Sequence, residues 1–279
     1  MVKLIKTKSE LIDERNQHNN KKIGFVPTMG NLHQGHLSLI QKSLSQNDIT
    51  FVSIFVNPTQ FGPNEDYNNY PRTLEEDLIK INSLSSKNNI IVFAPETIDD
   101  VYPKNFNTSF SQKEFDQVLC GASRPGHFNG VLSVIYHLFN LVRPSEVIFG
   151  QKDYQQLLII KNFAKDMFPN IKIISSEIIR EKNGLAMSSR NNYLSNTEKE
   201  EALYLYESLK KISKDLENNK FNKITDYKIN KNQLIWDYLE ILDSDSLKPI
   251  GPNTKNFIIA GAMKVNNKVR IIDNLLWNK

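Results

Sequence analysis

Cysteine is nearly absent, with one residue, Cys120, in a chain of 279. An internal disulfide is therefore excluded, folding rests on the core, and a reducing compartment suits the chain. Cys120 itself reads as a small buried hydrophobe. Long apolar runs are missing too, since none approaches the roughly 20 residues that span a bilayer. The stretch MVKLIKTKSELIDERN turns charged too early for a signal peptide, so a soluble cytoplasmic protein with no membrane partner is expected. Nor does one charge dominate: 35 Lys and Arg against 31 Asp and Glu leave +4, with the signs interspersed. No basic tract points to nucleic acid, although part of the excess could line a pocket for an anionic substrate such as a nucleotide. There is no internal repeat.

What is present is ordinary globular composition, 39% hydrophobic and 24% charged, at a length that accommodates one large domain and a smaller one. Short runs rich in Ile, Val and Phe at Lys22–Pro27, Ile49–Val56, Ile90–Phe93, Val147–Phe149 and Ile171–Ser176 read as strands. Between them, apolar residues at three- and four-residue spacing predict helices over Gly35–Ser45, Leu74–Leu84, Gly130–Val142 and Tyr154–Met167. Thr73 with Glu76 predicts a capping box for the second helix. The alternation predicts an α/β fold, a parallel sheet with helices on both faces, whose ligand lies outside the carboxyl ends of the strands. The loops after Pro27, Val56, Phe149 and Ser176 are then the ones to inspect. Beyond about Asn191 the pattern changes. Ser195 with Glu198 caps a charged helix, Asn and Lys crowd Asn218–Asn232 as a mobile loop would, and Phe257–Ile272 reads as a hairpin turning at Asn266-Asn267. We expect a first domain over residues 1–186 and a smaller α+β domain over 187–279.

The first strand runs through Met29, Gly30, Asn31, Leu32, His33, Gln34, Gly35 and His36 straight into a helix. Unsatisfied N–H groups and the dipole favour an anion there, and imidazoles can donate to phosphate oxygens or gain positive charge beside a polyphosphate. Either His could instead be a core or metal residue; no further Cys or His cluster supports zinc. In Asn57-Pro58-Thr59-Gln60, the Gln60 amide suits a carboxylate and a hydroxyl, with turn chemistry the competing reading. Cys120 to Gly130, with an arginine and three glycines before an apolar helix, reads as a ligand loop or a structural turn. Lys152 after Gly150 and Gln151 suits phosphate charge and Asp153 a ribose or metal, or both are a solvated helix start. Met187, Ser188, Ser189 and Arg190 offer two hydroxyls beside a guanidinium, a clamp for outer phosphates.

Together FVPTMGNLHQGH, FVNPTQF, YPRTLEEDL, LCGASRPGHFNGV, IFGQKDYQQL and GLAMSSRN, with RIIDN more thinly, resemble the pantothenate synthetases, the pantoate–β-alanine ligases. The resemblance runs nearly continuously over about residues 20–195. It implies a Rossmann-like domain of the H-x-G-H nucleotidyl transferase superfamily. It also implies joining of pantoate to β-alanine with ATP and Mg²⁺, release of AMP and pyrophosphate, and a homodimer. Carried over by residue, it puts ATP phosphates on Met29 to His36, with His36 the principal catalytic histidine and His33 beside it. Adenosine falls near Gly150 to Asp153 and the Ile179 backbone, and the outer phosphates on Lys152, Ser188, Ser189 and Arg190. Gln60 and Gln156 would hold pantoate, Gln60 also facing β-alanine. The sequence departs at Thr59, where the family usually has Met. Two rivals are another H-x-G-H transferase, making a dinucleotide or charging tRNA, and a nucleotide-binding module without turnover. The first lacks a large basic surface here, and the second has no need of His33, His36, Lys152 and Arg190 together.

Overall fold

The computed structural model describes residues 2–63, 65–84, 89–218, 220–228, 234–251 and 253–278. The chain divides into two compact units, Met1–Gln151 with Gln155–Glu177, and Lys152–Tyr154 with Ile178–Lys279. The second unit begins in the main at Ile178, whereas the sequence pattern places the change at Met187. Arg180 bridges to Ala186 and forms an ion pair with Asp273, so the segment before Met187 packs with the later chain.

In the first unit, β1 (Lys3–Ile5), β2 (Ile23–Thr28), β3 (Ile49–Ile54), β4 (Ile90–Phe93), β5 (Glu146–Gly150) and β6 (Lys172–Ser176) form one sheet in the order β1-β4-β3-β2-β5-β6. All five pairings are parallel. The helices are α1 (Lys8–Gln17), α2 (Gln34–Gln46), α3 (Leu74–Asn82), α4 (Leu119–Ser123), α5 (His127–Val142) and α6 (Tyr154–Met167). Strands covered on both faces read as continuous apolar runs, and Phe25, Phe51, Phe93 and Ile148 are fully buried. Pro27 is tolerated in central β2 because pairing with β5 ends at Phe25, so on that side no ladder bond is missing. From β2 the chain goes on to β3, and from β5 to β6 on the opposite side. That reversal between adjacent strands is the switch point where a crevice opens at the carboxyl ends. The loops beginning at Met29 and Gln151 leave from these two strands.

The second unit holds α7 (Asn196–Glu217) and an antiparallel sheet β7 (Leu234–Asp243), β8 (Asn256–Val265) and β9 (Val269–Asn278), in the order β7-β8-β9. Ala202, Leu205, Leu209 and Ile212 of α7 pack on Met263, Ile259 and Leu239 of the sheet. The Ser195–Glu198 capping box is present. The hairpin turns at Asn266 and Asn267, both left-handed at φ 49° and 55°, a conformation asparagine accepts better than most side chains.

The structure differs from the sequence reading at Thr73 and adds elements that reading lacks. Thr73 makes no side-chain cap bond: its ψ of 45° departs from the extended backbone an N-cap usually takes, and its hydroxyl donates to Asp77 at 3.2 Å. β1 and α1 are additional. Of the Asn218–Asn232 stretch, residues 219 and 229–232 lie outside the described residues, while Ile224–Tyr227 forms a 3₁₀ turn. β7 pairs along one whole edge of β8, which the polar residues scattered through it conceal.

Candidate active site

Gly30 follows β2 at φ +81° and Asn31 at φ +49°, and this left-handed pair reverses the chain into α2. Leu32 sinks its side chain into the core beside Val26, Ile40 and Val92. The Asn31 and Leu32 N–H groups donate to the two oxygens of Asp77, at 2.8 and 2.7 Å. Thus two amides that the sequence offers to phosphate already hold a carboxylate of the chain itself. Gln34 is exposed, and Met29, His33, Gly35 and His36 are half-buried.

His33 is the N-cap of α2. Its Nδ1 accepts the Gly35 N–H at 3.1 Å, and His36 Nδ1 accepts the His33 N–H at 3.4 Å. An accepting ring nitrogen carries no proton, so each neutral ring bears its hydrogen on Nε2. The ring centroids are 4.1 Å apart, a separation at which two imidazolium charges would repel. With both Nδ1 atoms engaged by backbone N–H groups, Nε2 is the ring nitrogen each histidine has left for a ligand.

Gln60 is brought to the same loop, its Nε2 lying 3.2 Å from Met29 Sδ. Asn57, 1% exposed, donates to Gln60 Oε1 at 3.1 Å and to the Gly130 carbonyl at 3.1 Å. Its own Oδ1 accepts from the Thr59 N–H and hydroxyl and from Tyr102. Burial pushes the Tyr102 phenol up to about 12, so it stays a donor. Thr59 thus spends its hydroxyl on the Asn57 amide. The Gln60 carbonyl accepts from His127 Nδ1 at 2.8 Å, whose Nε2 accepts from Arg124, and Arg124 forks onto Glu65 with both contacts at 2.6 Å. Burial raises the Glu65 carboxyl, but the guanidinium outweighs it and holds it at about 2. Gly130 lets the Pro58–Gln60 turn touch α5: a Cβ there would stand 2.1 Å from the Thr59 oxygen. The bonds of the Cys120–Gly130 segment are those of a structural turn, and they place it beside Gln60. Cys120 is buried, its N–H donating to Gln155 at 2.9 Å. Gln155 is a buried clamp on the Phe115 and Val118 carbonyls, whereas Gln156 beside it is half-buried on the first turn of α6. Gly150 ends β5, half-buried, and Gln151 follows it in a 3₁₀ turn.

In the second unit, Lys152 Nζ lies 3.8 Å from Asp153, which is half exposed, and the Lys152 carbonyl accepts from Asn274 at 3.0 Å. The Ile179 carbonyl accepts the Met187 N–H at 3.0 Å. Ser188 caps the turn Ser189–Tyr193, its Oγ accepting the Arg190 N–H at 3.3 Å. Buried Asn191 staples this turn, donating to the Ala186 carbonyl at 3.1 Å and to Glu181 at 2.8 Å. Asp77, Asn57 and Asn191 are the supporting residues that sequence reading misses. Their signal is weak, because one acid in a helix first turn, or one Asn beside Pro, ordinarily faces solvent.

A parallel sheet with a histidine-capped helix at its switch point defines an α/β protein that carries its chemistry on the loops after the strands. The sequence pattern of the Pantoate-beta-alanine ligase family matches residues 2–276. The pantothenate synthetase of Thermosipho africanus is 46% identical over 265 residues, 92% of each chain, and that of Fervidobacterium nodosum 45% over 284 residues, 99% of this chain and 100% of the relative. The crystal structure of pantothenate synthetase from Thermus thermophilus superimposes with TM-score 0.88 at 35% identity, over 98% of this chain and 99% of the other. The pantoate-beta-alanine ligase of Francisella tularensis, complexed with beta-gamma ATP and beta-alanine, does so with TM-score 0.80 at 36% identity, over 99% and 98%. This chain belongs to the pantoate-beta-alanine ligase family.

Proposed function

We propose that the chain condenses pantoate with β-alanine at the expense of ATP, through a pantoyl-adenylate, giving pantothenate, AMP and pyrophosphate. The observation that carries this reading is the His33–His36 pair at the start of α2, two rings whose Nδ1 atoms accept backbone N–H groups at the switch point of the sheet. A carboxylate cannot be attacked by an amine at a useful rate, because an oxide would have to leave. Transfer of AMP to the pantoate oxygen makes AMP the leaving group. In the first step the pantoate carboxylate attacks the α-phosphorus and the bond to pyrophosphate breaks. Nε2–H groups of His36 and His33, with Lys152, Ser188, Ser189 and Arg190, take up the charge that gathers on pyrophosphate. In the second step neutral β-alanine attacks the mixed anhydride, AMP departs and the amine proton passes to solvent. No side chain carries the acyl group.

Adenosine is assigned to Gly150, Gln151, Asp153 and the Ile179 backbone, with Met187 leading into the serine pair, and pantoate to Gln60 and Gln156. Within the Met29–His36 segment, the Asn31 and Leu32 amides are committed to Asp77, so phosphate contact falls to the residues around them. Among the described residues no group of three or more His, Cys, Asp or Glu is placed to hold a metal. We assign Mg²⁺ to the ATP phosphates, as is usual for this ion, and assign it no protein ligand. A cytoplasmic homodimer completes the reading; among the described residues no helix is long and apolar enough to cross a membrane.

The deciding assay supplies ATP, Mg²⁺ and pantoate and follows labelled pyrophosphate into ATP. Exchange should occur without β-alanine and vanish without pantoate, and adding β-alanine should yield AMP and pantothenate. Release of ADP and phosphate, or exchange that requires β-alanine, would replace the adenylate by an acyl-phosphate or concerted route.

A further inference from the structure

A carboxylate with no exposed surface is costly unless several donors satisfy it. Asp77, on α3, is 0% exposed, yet the nearest cation, Lys80 Nζ, is 3.9 Å away and reaches beyond it to donate to the Leu32 carbonyl at 2.9 Å. Its donors come from the loop after β2. Oδ1 accepts the Leu32 N–H, and Oδ2 accepts the Asn31 N–H and, at 3.2 Å, the Thr73 hydroxyl. Gly30 packs on the same oxygen: a Cβ there would lie 3.2 Å from Oδ2. Two successive amides converging on one point form an anion site, and here the anion is built into the chain.

We propose that Asp77 is a positioning residue for the catalytic loop. As an internal counter-anion it holds the left-handed Gly30-Asn31 turn, fixes where α2 begins, and thereby sets the direction of the His33 and His36 Nε2–H groups. Asparagine tolerates the left-handed region better than most side chains, but two left-handed residues in succession need their surroundings to fix them. Asp77 does so. It also keeps the Asn31 and Leu32 amides from a phosphate, which directs the nucleotide to the histidines. The proposal rests on the assignment of His33 and His36 to the nucleotide phosphates.

The test begins with the wild-type protein, where no variant can misfold. Hydrogen exchange at the Asn31 and Leu32 amides should be slow without nucleotide and unchanged by ATP. Fast exchange that slows only when ATP is added would show that these amides await a phosphate, and would overturn the proposal. Asp77→Asn must then turn an amide N–H₂ toward one of the two donors. Its exchange at Asn31 and Leu32 should rise, and kcat of pyrophosphate exchange should fall by about 10–100-fold, the size expected for catalytic groups displaced by about an ångström. KM for ATP should move much less, whereas a residue that only stabilised the fold would change the folded fraction and leave kcat per folded molecule intact. A folded Asp77→Asn protein with wild-type kcat sinks the proposal; absence of exchange in the wild type sinks the functional reading instead. If Asp77→Asn does not fold, Thr73→Val, which removes one donor and leaves the carboxylate, should still speed exchange at Asn31. No change there would equally count against the proposal.

Discussion

Asn57 and Gln60 hold each other in one orientation: the Asn57 amide donates to Gln60 Oε1 at 3.1 Å, which leaves the Gln60 N–H₂ as the group turned to the Met29 loop. A donor so fixed suits an acceptor on the substrate. Gln60→Glu keeps the shape and removes that donor, and if pantoate binds where proposed it sets a carboxylate against a carboxylate. We expect a KM for pantoate raised by about 10–100-fold, the equivalent of 1–3 kcal/mol for an unpaired buried partner, with ATP affinity held within a few fold. Steady-state kinetics with each substrate varied in turn decides it. Equal loss for both substrates would place Gln60 elsewhere.

The two histidines carry a cap and a donor on the same ring, and substitution can separate them. Serine is a better N-cap than histidine, so His33→Ser should match or exceed the wild-type melting temperature while losing the Nε2–H. Adenylation should slow, and for His36→Ala the fall should reach about 10²–10³, the usual loss for one donor to developing charge. Pyrophosphate exchange and thermal melting, measured on the same preparations, check both halves. A His33→Ser protein that melts earlier and reacts normally would reverse the assignment.

Gly130→Ala places a methyl group 2.1 Å from the Thr59 oxygen and 2.6 Å from Gln60 Cα. Neither is the end of a flexible side chain, so the Pro58–Gln60 turn must move away from α5. Overpacking of this kind costs about 1–3 kcal/mol. We expect a lower denaturation midpoint together with a raised KM for pantoate, and a nearly normal KM for ATP.

The Glu65–Arg124 pair gives a pH signature. The folded-state carboxyl lies at about 2 against 4.5 for the unpaired group, so the pair stabilises the protein above about 4.5 and this contribution is lost as pH falls towards 2. Glu65→Gln should therefore melt earlier than wild type at neutral pH, and the gap should narrow between pH 4.5 and 2. A gap that widened on acidification would contradict the ion pair.

In the second unit, Arg180 forks onto Asp273 at 2.6 and 2.9 Å and lies 3.6 Å over the Tyr206 ring. Lysine can reproduce neither the fork nor the stacking. Arg180→Lys should cost about 1–3 kcal/mol, read from denaturant unfolding.

The sequence revealed what periodicity and burial impose. Strands β2 to β5 were legible because most of their residues are buried, which leaves each a largely apolar run; half-buried β6 was legible from Ile173 and Ile174. α1 was not, because Leu11 is its one buried apolar side chain; the signal that could have found it was the box Thr7–Glu10. The H-x-G-H segment and the serine–arginine turn stood out by residue type and position. Their supports did not. Asp77 lies 46 residues beyond Asn31, and nothing local distinguishes it from Glu75 or Glu76, which are solvated. Its partner is chosen by tertiary packing of α3 on the sheet.

The switch between β2 and β5 also bears on how the chain reaches its native state. Ile23 and Ser145, hydrogen-bonded at the foot of these strands, are 122 residues apart, so the centre of the sheet closes only after a long loop has been brought round. The hairpin of β8 and β9 closes over three residues, Asn266 to Lys268. Folding rates fall as contacts become less local. On a ribosome, the first unit must remain open until β5 has emerged, exposing β2 as an unfinished parallel edge, while the hairpin of the second unit can zip as soon as it is made. Refolding monitored at Trp277 of β9 should therefore run ahead of the recovery of pyrophosphate exchange.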